Sequence, residues 1–335
     1  MKISLPAMIG AAAMALALLA FLAIPAQARS AQAGAGAAAK SVRHAQARPK
    51  ARYKARPKAR HKARPAKRRA ASGARPAKRY RADSARHATL AALRSSAVLI
   101  IDPAAHKVLY EKNADAVMPI ASVTKLMTAL VVIEAGQDMD EVLTVADADV
   151  DRLKYSSSRL RVGTGLARSG MLHIALMSSE NRAASALGRH YPGGTPAFVL
   201  AMNAKARALG MHRTRFVEPT GLSSLNVSTP EDLARLVIAA QQQALIRTYS
   251  TDPDHTIAQG RQATVYRNSN RLIASPRWHI GTQKTGYISE AGRCMVLHAK
   301  VKGRAVVMIF LDAQGKFSRA RDANQVRSWL ARAQR

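Results

Sequence analysis

The chain has 335 residues, with 53 Lys and Arg against 20 Asp and Glu, a formal charge of +33, and a single cysteine. One thiol excludes an intramolecular disulfide framework and any paired-cysteine metal or redox motif. An apolar content of 48% leaves ample material for a core. The charge is unevenly placed along the chain. Residues 1–28 read as a secretory signal: Lys2 supplies the positive start, an apolar run extends from Met8 to Ile24, and Ala26-Gln27-Ala28 gives a small-x-small cleavage site, with cleavage after Ala28. The run also has roughly the length of a membrane span. Export, to the periplasm, is implied either way.

Residues 29–88 hold 20 Lys and Arg against one acid, Asp83. A pseudo-repeat, ARPK-ARYK-ARPK-ARHK-ARPAK, runs from Ala47 to Lys67. Dense like charge, regular proline and few apolar residues cannot offset the entropy of ordering. The segment therefore reads as a disordered, extended basic tether. It is suited to electrostatic contact with an anionic wall or lipid surface, or else serves as a solvated spacer. Its composition also fits nucleic acid, but export argues against that partner.

Residues 89–335 form the folded part. Ser96–Ile101 and Lys107–Glu111 predict a hairpin around the turn Asp102 to His106. Pro119 precedes a helix from Ala121 to Ala135, ended by Gly136. Asp138 to Leu166 is mixed and turn-rich. Met171 to His190 reads as helix, closed by Pro192-Gly193-Gly194, and Pro230 to Ala244 as another helix with proline in its first turn. Three strands come next, Ile280–Ile288, Arg293–Val301 and Arg304–Leu311, the last two joined at Lys302-Gly303. A helix from Ala320 to Ala333 ends the chain. This order predicts an α/β (α+β) fold: one antiparallel sheet flanked by helices, with the N-terminal hairpin joining the C-terminal strands.

Three short strings carry the chemistry. Ser122-Val123-Thr124-Lys125 places a serine in the first turn of a helix, where backbone N–H groups favour developing negative charge, with a lysine one turn on. A lysine neutralised by burial or by a second cation, such as Lys284, can take the serine proton. Ser179-Glu180-Asn181 opens a helical stretch, so Ser179 can relay a proton and Asn181 can hold Lys125 or a substrate carbonyl. Lys284-Thr285-Gly286 lies on a strand. There Gly286 would let a substrate backbone approach, and Lys284 and Thr285 would hold its carboxylate. A second SxN, Ser224-Leu225-Asn226, belongs to loop architecture. The three strings spell SxxK, SxN and KTG, the motif set of penicillin-binding serine acyl-transferases. Other chemistries find no motif: there is no GxSxG, no HExxH and no phosphate loop. The ten histidines show no ligand spacing, so neither a metal nor a cofactor is implied. Cys294 sits in an alternating strand pattern and reads as a core thiol.

Residues 93–333 resemble the low-molecular-mass penicillin-binding proteins, the serine D-alanyl-D-alanine peptidases. The resemblance extends to Pro119-Ile120-Ala121-Ser122-Val123-Thr124-Lys125-Leu126-Met127-Thr128 and to Phe216-Val217-Glu218-Pro219-Thr220-Gly221-Leu222 with Asn226-Val227-Ser228-Thr229 after it. The residues around Asn181 and from Lys284 to Cys294 are most similar to the penicillin-binding protein 7 type, the D-alanyl-D-alanine endopeptidases. The resemblance implies a penicillin-recognising DD-peptidase/β-lactamase-like fold with a mainly helical insertion. It also implies peptidoglycan as substrate and β-lactams as inhibitors. On the same ground, Ser122 is expected to be the acylated nucleophile and Lys125 its base. Ser179, Asn181 and Lys284 would form a proton relay and polar wall, and the N–H groups of Ser122 and Tyr287 the oxyanion hole. The catalytic domain is expected to span 89–335. D-alanyl-D-alanine carboxypeptidase is the neighbouring activity, and a non-catalytic wall-binding module is the alternative of another class. A β-lactamase would need a deacylating carboxylate, for which Glu218 is the one tempting acid.

Overall fold

A computed structural model describes residues 90–259 and 262–333. The signal and tether expected at 1–28 and 29–88 lie outside the described residues. In chain order the elements are β1 (Ser95–Asp102), β2 (Lys107–Lys112), β3 (Met118–Pro119), a 3-10 turn (Ala121–Thr124), α1 (Lys125–Glu134), β4 (Val142–Thr144), a 3-10 turn (Asp147–Asp149) and β5 (Gly165–Ala167). Then come α2 (Arg168–Met177), α3 (Asn181–Arg189), α4 (Gly194–Ala208), β6 (Val227–Ser228), α5 (Pro230–Gln242), α6 (Ala244–Thr251) and the hairpin β7 (Asp254–Gln259) and β8 (Gln262–Arg267). The chain closes with β9 (His279–Ile288), β10 (Gly292–Val301), β11 (Arg304–Ala313) and α7 (Ser318–Ala333).

The main sheet has the order β2-β1-β11-β10-β9 and is antiparallel throughout. The N-terminal hairpin thus joins the C-terminal strands, as the sequence order predicts. Central β11 is buried on both faces, which accounts for its unbroken apolar run from Val306 to Leu311. Alternate residues sort into two cores. Ala97, Leu99, Val307 and Ile309 pack with Leu126, Leu130, Leu233 and Leu236 of α1 and α5. Val98, Ile100, Met308 and Phe310 pack on the other face with Val326, Trp329 and Leu330 of α7. The result is three layers, with the remaining helices inserted between β2 and β9.

One buried carboxylate ties the front of the sheet to the last helix. Asp322, fully buried on α7, accepts the backbone N–H groups of Arg94 (3.1 Å) and Ser95 (2.8 Å) and the Ser95 hydroxyl (2.7 Å). A charged acceptor thereby satisfies the donors at the start of β1.

Three expectations need correction. The helix expected from Met171 to His190 is two helices, broken at Ser178-Ser179-Glu180. Ser178 Oγ donates to the Ile174 carbonyl (2.8 Å), Ser179 adopts the left-handed conformation at φ 67°, and the Glu180 side chain caps α3 at Arg182 N. Helices α4 and α6 and the β7–β8 hairpin stand where no element was expected. The predicted helix from Ala121 begins instead as a 3-10 turn. Among the described residues, no helix is long and apolar enough to cross a membrane.

Substituting Asp322 by Ala leaves two backbone donors and a hydroxyl buried without an acceptor. Urea unfolding should show a loss of about 2–4 kcal/mol, whereas an exposed-site control such as Lys302→Ala should move stability by under about 1 kcal/mol.

Candidate active site

The site is built around the turn that carries Ser122. Ala121, the residue before it, has φ 48°, a strained value for a residue with a side chain. Three neighbours hold it there. Gly221 (φ 81°) lies so close that a Cβ would fall 2.0 Å from the Ala121 carbonyl oxygen. Gly286 on β9 crosses the same turn, and a Cβ there would stand 2.9 Å from Ser122 N and from Ala121 Cβ. Asn226 completes the clamp: its carbonyl accepts from Ile120 N (3.1 Å) and its amide donates to Thr124 Oγ1 (3.1 Å). Gly286 is therefore glycine so that the strand can lie on the nucleophile turn. This packing reason is separate from the expected role of admitting substrate backbone.

Helix α1 brings Lys125 back onto Ser122. Its Nζ donates to Ser122 Oγ (3.0 Å), Asn181 Oδ1 (2.7 Å) and the Thr220 carbonyl (2.6 Å). The side chain is 1% exposed, and burial lowers its pKa from 10.5 to about 8 against opposing pulls from Glu218, Glu180 and Asp151. Asn181, the first residue of α3, is oriented in turn by Ser156 Oγ (2.9 Å), and Ser156 by Asp151 (2.6 Å). Asp151 also accepts the N–H groups of Leu153, Lys154 and Ser156, which shapes this loop. Glu180 is fixed by Ser158 Oγ at 2.6 Å. Ser179 is half-buried at the strained break between α2 and α3, beside a small cavity of about 290 Å³ that Asn181 also lines.

On the other wall, Lys284 is fully buried and donates to the Thr285 carbonyl (2.9 Å). Its pKa lies well below the usual lysine range, first through burial, then through the positive charges of Lys125 and Arg319. Thr285 Oγ1 pairs with Ser269 Oγ at 2.7 Å. The Arg319 guanidinium donates to the carbonyls of Gly286 (2.8 Å) and Cys294 (3.1 Å), fixing the strand behind the site. Tyr287 is 56% exposed at the rim, its ring covered by the Arg293 guanidinium at 4.5 Å. Cys294 is buried, and burial pushes its thiol up to about 11, so it stays protonated and inert.

Glu218 is spent on its own loop. Its carboxylate accepts from Gly221 N (2.7 Å), Ser223 N (3.3 Å) and Asn226 Nδ2 (2.9 Å), and from both the N–H and hydroxyl of Thr220. The second SxN thus serves loop architecture, as expected, and Glu218 is not free to activate a water. The first SxN and the SxxK lysine meet directly. Sequence reasoning missed Ser269, Ser156, Asp151 and the Thr220 carbonyl. Only the polar run from Asp147 to Ser158, with no periodicity of its own, signalled a shaped loop there.

The antiparallel sheet and its helical insertion define the penicillin-recognising class of serine enzymes. The chain belongs to the D-alanyl-D-alanine carboxypeptidase family, whose model matches residues 83–315. A D-alanyl-D-alanine endopeptidase of Pseudomonas aeruginosa is 48% identical over 244 residues, covering 72% of this chain and 79% of that protein. The protein of the same name from Escherichia coli is 44% identical over 240 residues, 71% and 77% of the two chains. Among solved structures, penicillin-binding protein D2 from Listeria monocytogenes, in its ampicillin-bound form, superposes with a TM-score of 0.61 at 31% identity, over 71% of this chain and 97% of that one. The Streptomyces K15 DD-transpeptidase gives a TM-score of 0.66 at 26% identity over the same shares.

Two glycines separate strain from collision. Gly303, at φ 80° with nothing near its Cβ direction, should lose about 1–2 kcal/mol on Gly303→Ala and keep its reaction with a labelled penicillin. Gly221→Ala drives a methyl into the Ala121 carbonyl, so thermal unfolding should show a loss above about 3 kcal/mol and the labelling should disappear.

Proposed function

We propose that this protein is a periplasmic serine DD-endopeptidase that cuts D-alanyl–diaminopimelate cross-links of peptidoglycan through an acyl-enzyme on Ser122. The observation that carries the reading is Lys125: buried, partly neutral near pH 7, and 3.0 Å from Ser122 Oγ. Neutral Lys125 takes the Ser122 proton as Oγ attacks the D-alanyl carbonyl carbon. The N–H groups of Ser122 and Tyr287 receive the oxyanion, and the loss of one such donor costs about 3–4 kcal/mol in comparable sites. Ser179, beside Asn181, passes the proton to the leaving amine as the C–N bond breaks. Water then attacks the ester, with Lys125 again taking and returning a proton. Lys284 and Thr285 hold the substrate carboxylate along the wall that Gly286 joins to the nucleophile turn.

Endopeptidase is favoured over carboxypeptidase because the relatives at 48% and 44% identity bear the first name. A Streptomyces relative bearing the second stands at 30%. β-Lactams should act as inhibitors, since Glu218, the acid that could have driven deacylation, is engaged by its own loop. Export through a signal cleaved after Ala28 agrees with a wall substrate. The catalytic domain is taken as 89–335, with the basic tether of 29–88 held against an anionic wall or lipid surface.

Digestion of purified cross-linked dimeric muropeptide tests the reaction. Monomers should appear with the native chain and not with Ser122→Ala. Release of free D-alanine with the cross-link intact would instead make the enzyme a carboxypeptidase.

The pKa of Lys125 sets a pH profile. The group is lowered, so the protonated, inactive form dominates below about 8 and the neutral base above it. Acylation by a labelled penicillin should rise about tenfold per pH unit below that value and level off above it. Lys125→Arg, which cannot lose its proton, should acylate at least about a hundredfold more slowly at every pH.

For the tether, removal of residues 29–88 should weaken sedimentation with cell walls, mostly at low salt. Unchanged sedimentation would make the segment a plain spacer.

A further inference from the structure

Away from Ser122, three residues that lie far apart in the sequence meet at the junction of α2, α6 and β7. His173 is on α2, Asp252 follows the last residue of α6, and His255 is the second residue of β7. Their donor atoms all lie within 4.8 Å of one another. His173 is 6% exposed, and its Nε2 is buried without a hydrogen-bond partner. An Asp252 carboxylate oxygen lies 2.8 Å from that nitrogen but out of line for a hydrogen bond. The ring cannot simply turn away. Tyr249 stacks on it at 4.3 Å and 12°, and His255 lies against it at 4.0 Å and 33°.

A buried imidazole nitrogen that makes no aligned hydrogen bond, with a carboxylate 2.8 Å away and a second imidazole against the ring, is an incompletely satisfied polar group for an ordinary core. It is resolved if all three donors point at one cation. We propose that His173, Asp252 and His255 form a binding site for a divalent transition-metal ion of the zinc type. The donor set, two imidazoles and one carboxylate, suits zinc, with a fourth position left for water on the half-exposed side of Asp252 and His255. Tetrahedral donors about 2.1 Å from an ion stand about 3.4 Å apart. The outermost pair therefore needs at most about 1.4 Å of closure, within rotamer reach of the two half-buried ligands. The neutral imidazole is the form that binds, and burial together with the neighbouring His255 holds the His173 pKa below the usual histidine value.

The position gives the ion a structural consequence. Helix α2 ends at Met177, whose carbonyl accepts from Ser269 N at 2.8 Å, and Ser269 lies just past the β7–β8 hairpin. An ion at His173, Asp252 and His255 ties the helix that leads into Ser179 to the hairpin that leads into Ser269, the partner of Thr285.

The test uses the full chain freed of metal with a chelator. Zn²⁺ is titrated by calorimetry, and Co²⁺ is followed by its visible absorption as a report of coordination. His173→Ala removes a ring buried between two others and endangers the fold, so the half-buried ligands carry the test as His255→Ala and Asp252→Asn. Thermal unfolding without metal should show both variants folded. One equivalent of Zn²⁺ should bind the native chain, at least about tenfold more tightly than either variant, and should raise the melting temperature of the native chain alone. A chain in which His44, His61 and His87 of the basic segment are replaced should bind as the native one does. An unchanged affinity in the two folded ligand variants, or no Zn²⁺ equivalent in the native chain, overturns the site. Neither result bears on penicillin acylation, so the peptidase reading stands or falls separately.

Discussion

The site depends on a lysine ammonium taken out of water and given only neutral partners in direct contact. Removing an ammonium from water costs several kcal/mol unless it is paired or loses its proton. Here the contacts are a hydroxyl, an amide oxygen and a peptide carbonyl, while Glu218, Glu180 and Asp151 act from further away. That balance holds Lys125 near its titration point. A carboxylate in place of Asn181 would form an ion pair with Lys125, pin the proton on Nζ, and remove the base. The SxN asparagine thus matters for the charge it lacks as much as for the bond it makes.

Such a balance needs fixed distances, and the surrounding fold supplies them. The nucleophile turn is pressed by Gly221 from the Phe216–Leu222 loop and by Gly286 from β9, and tied by Asn226 beneath. Glu218 gathers the donors of that same loop, which holds the Thr220 carbonyl against Lys125. Asp322 anchors α7 to the first strand, and α7 carries Arg319, whose guanidinium grips the carbonyls of Gly286 and Cys294. A disturbance at the start of β1 therefore reaches the strand that covers Ser122 through covalent continuity and the Arg319 hydrogen bonds.

The sheet was legible because β1 and β11 carry unbroken apolar runs, β10 has an apolar run at its centre, and turn residues bound them. Asp102 and Lys302-Gly303 marked those turns in advance, and the faces came from alternation. The inserted helices were less legible for identifiable reasons. Pro192, Gly193 and Gly194 read as the close of a helix, yet Gly193 in the left-handed conformation caps the start of α4. Periodicity runs unbroken from α2 into α3, and a serine at φ 67° interrupts it without any glycine to announce the break. Ser122, Lys125 and Asn181 could be named from spacing, and the structure brings them together. Ser156, Asp151 and Ser269 could not: Ser156 and Ser269 act through partners 25 and 16 residues away, and Asp151 acts through Ser156, with no periodic pattern to mark them. The histidines looked scattered for the same reason: His173 and Asp252 are brought together only by the packing of α2 on α6.

Lys125 and Lys284 raise a final point about how the site meets its substrate. Both are buried, and the charge of Lys125 is a cause of the low pKa of Lys284. The sequence suggested Lys284 as a cation that tunes Lys125. In the folded chain burial alone lowers Lys125, without Lys284 among its influences, and Lys284, with Arg319 also near it and no carboxylate among its influences, is the more strongly depressed of the two. In the proposed mechanism, a substrate carboxylate entering beside Thr285 supplies the missing anion and favours a proton on Lys284. A charged Lys284 in turn disfavours charge on Lys125, the state required for the base. Within that proposed mechanism, the carboxylate that anchors the substrate then helps to prepare the group that activates Ser122, which links recognition and activation through the repulsion between two lysines.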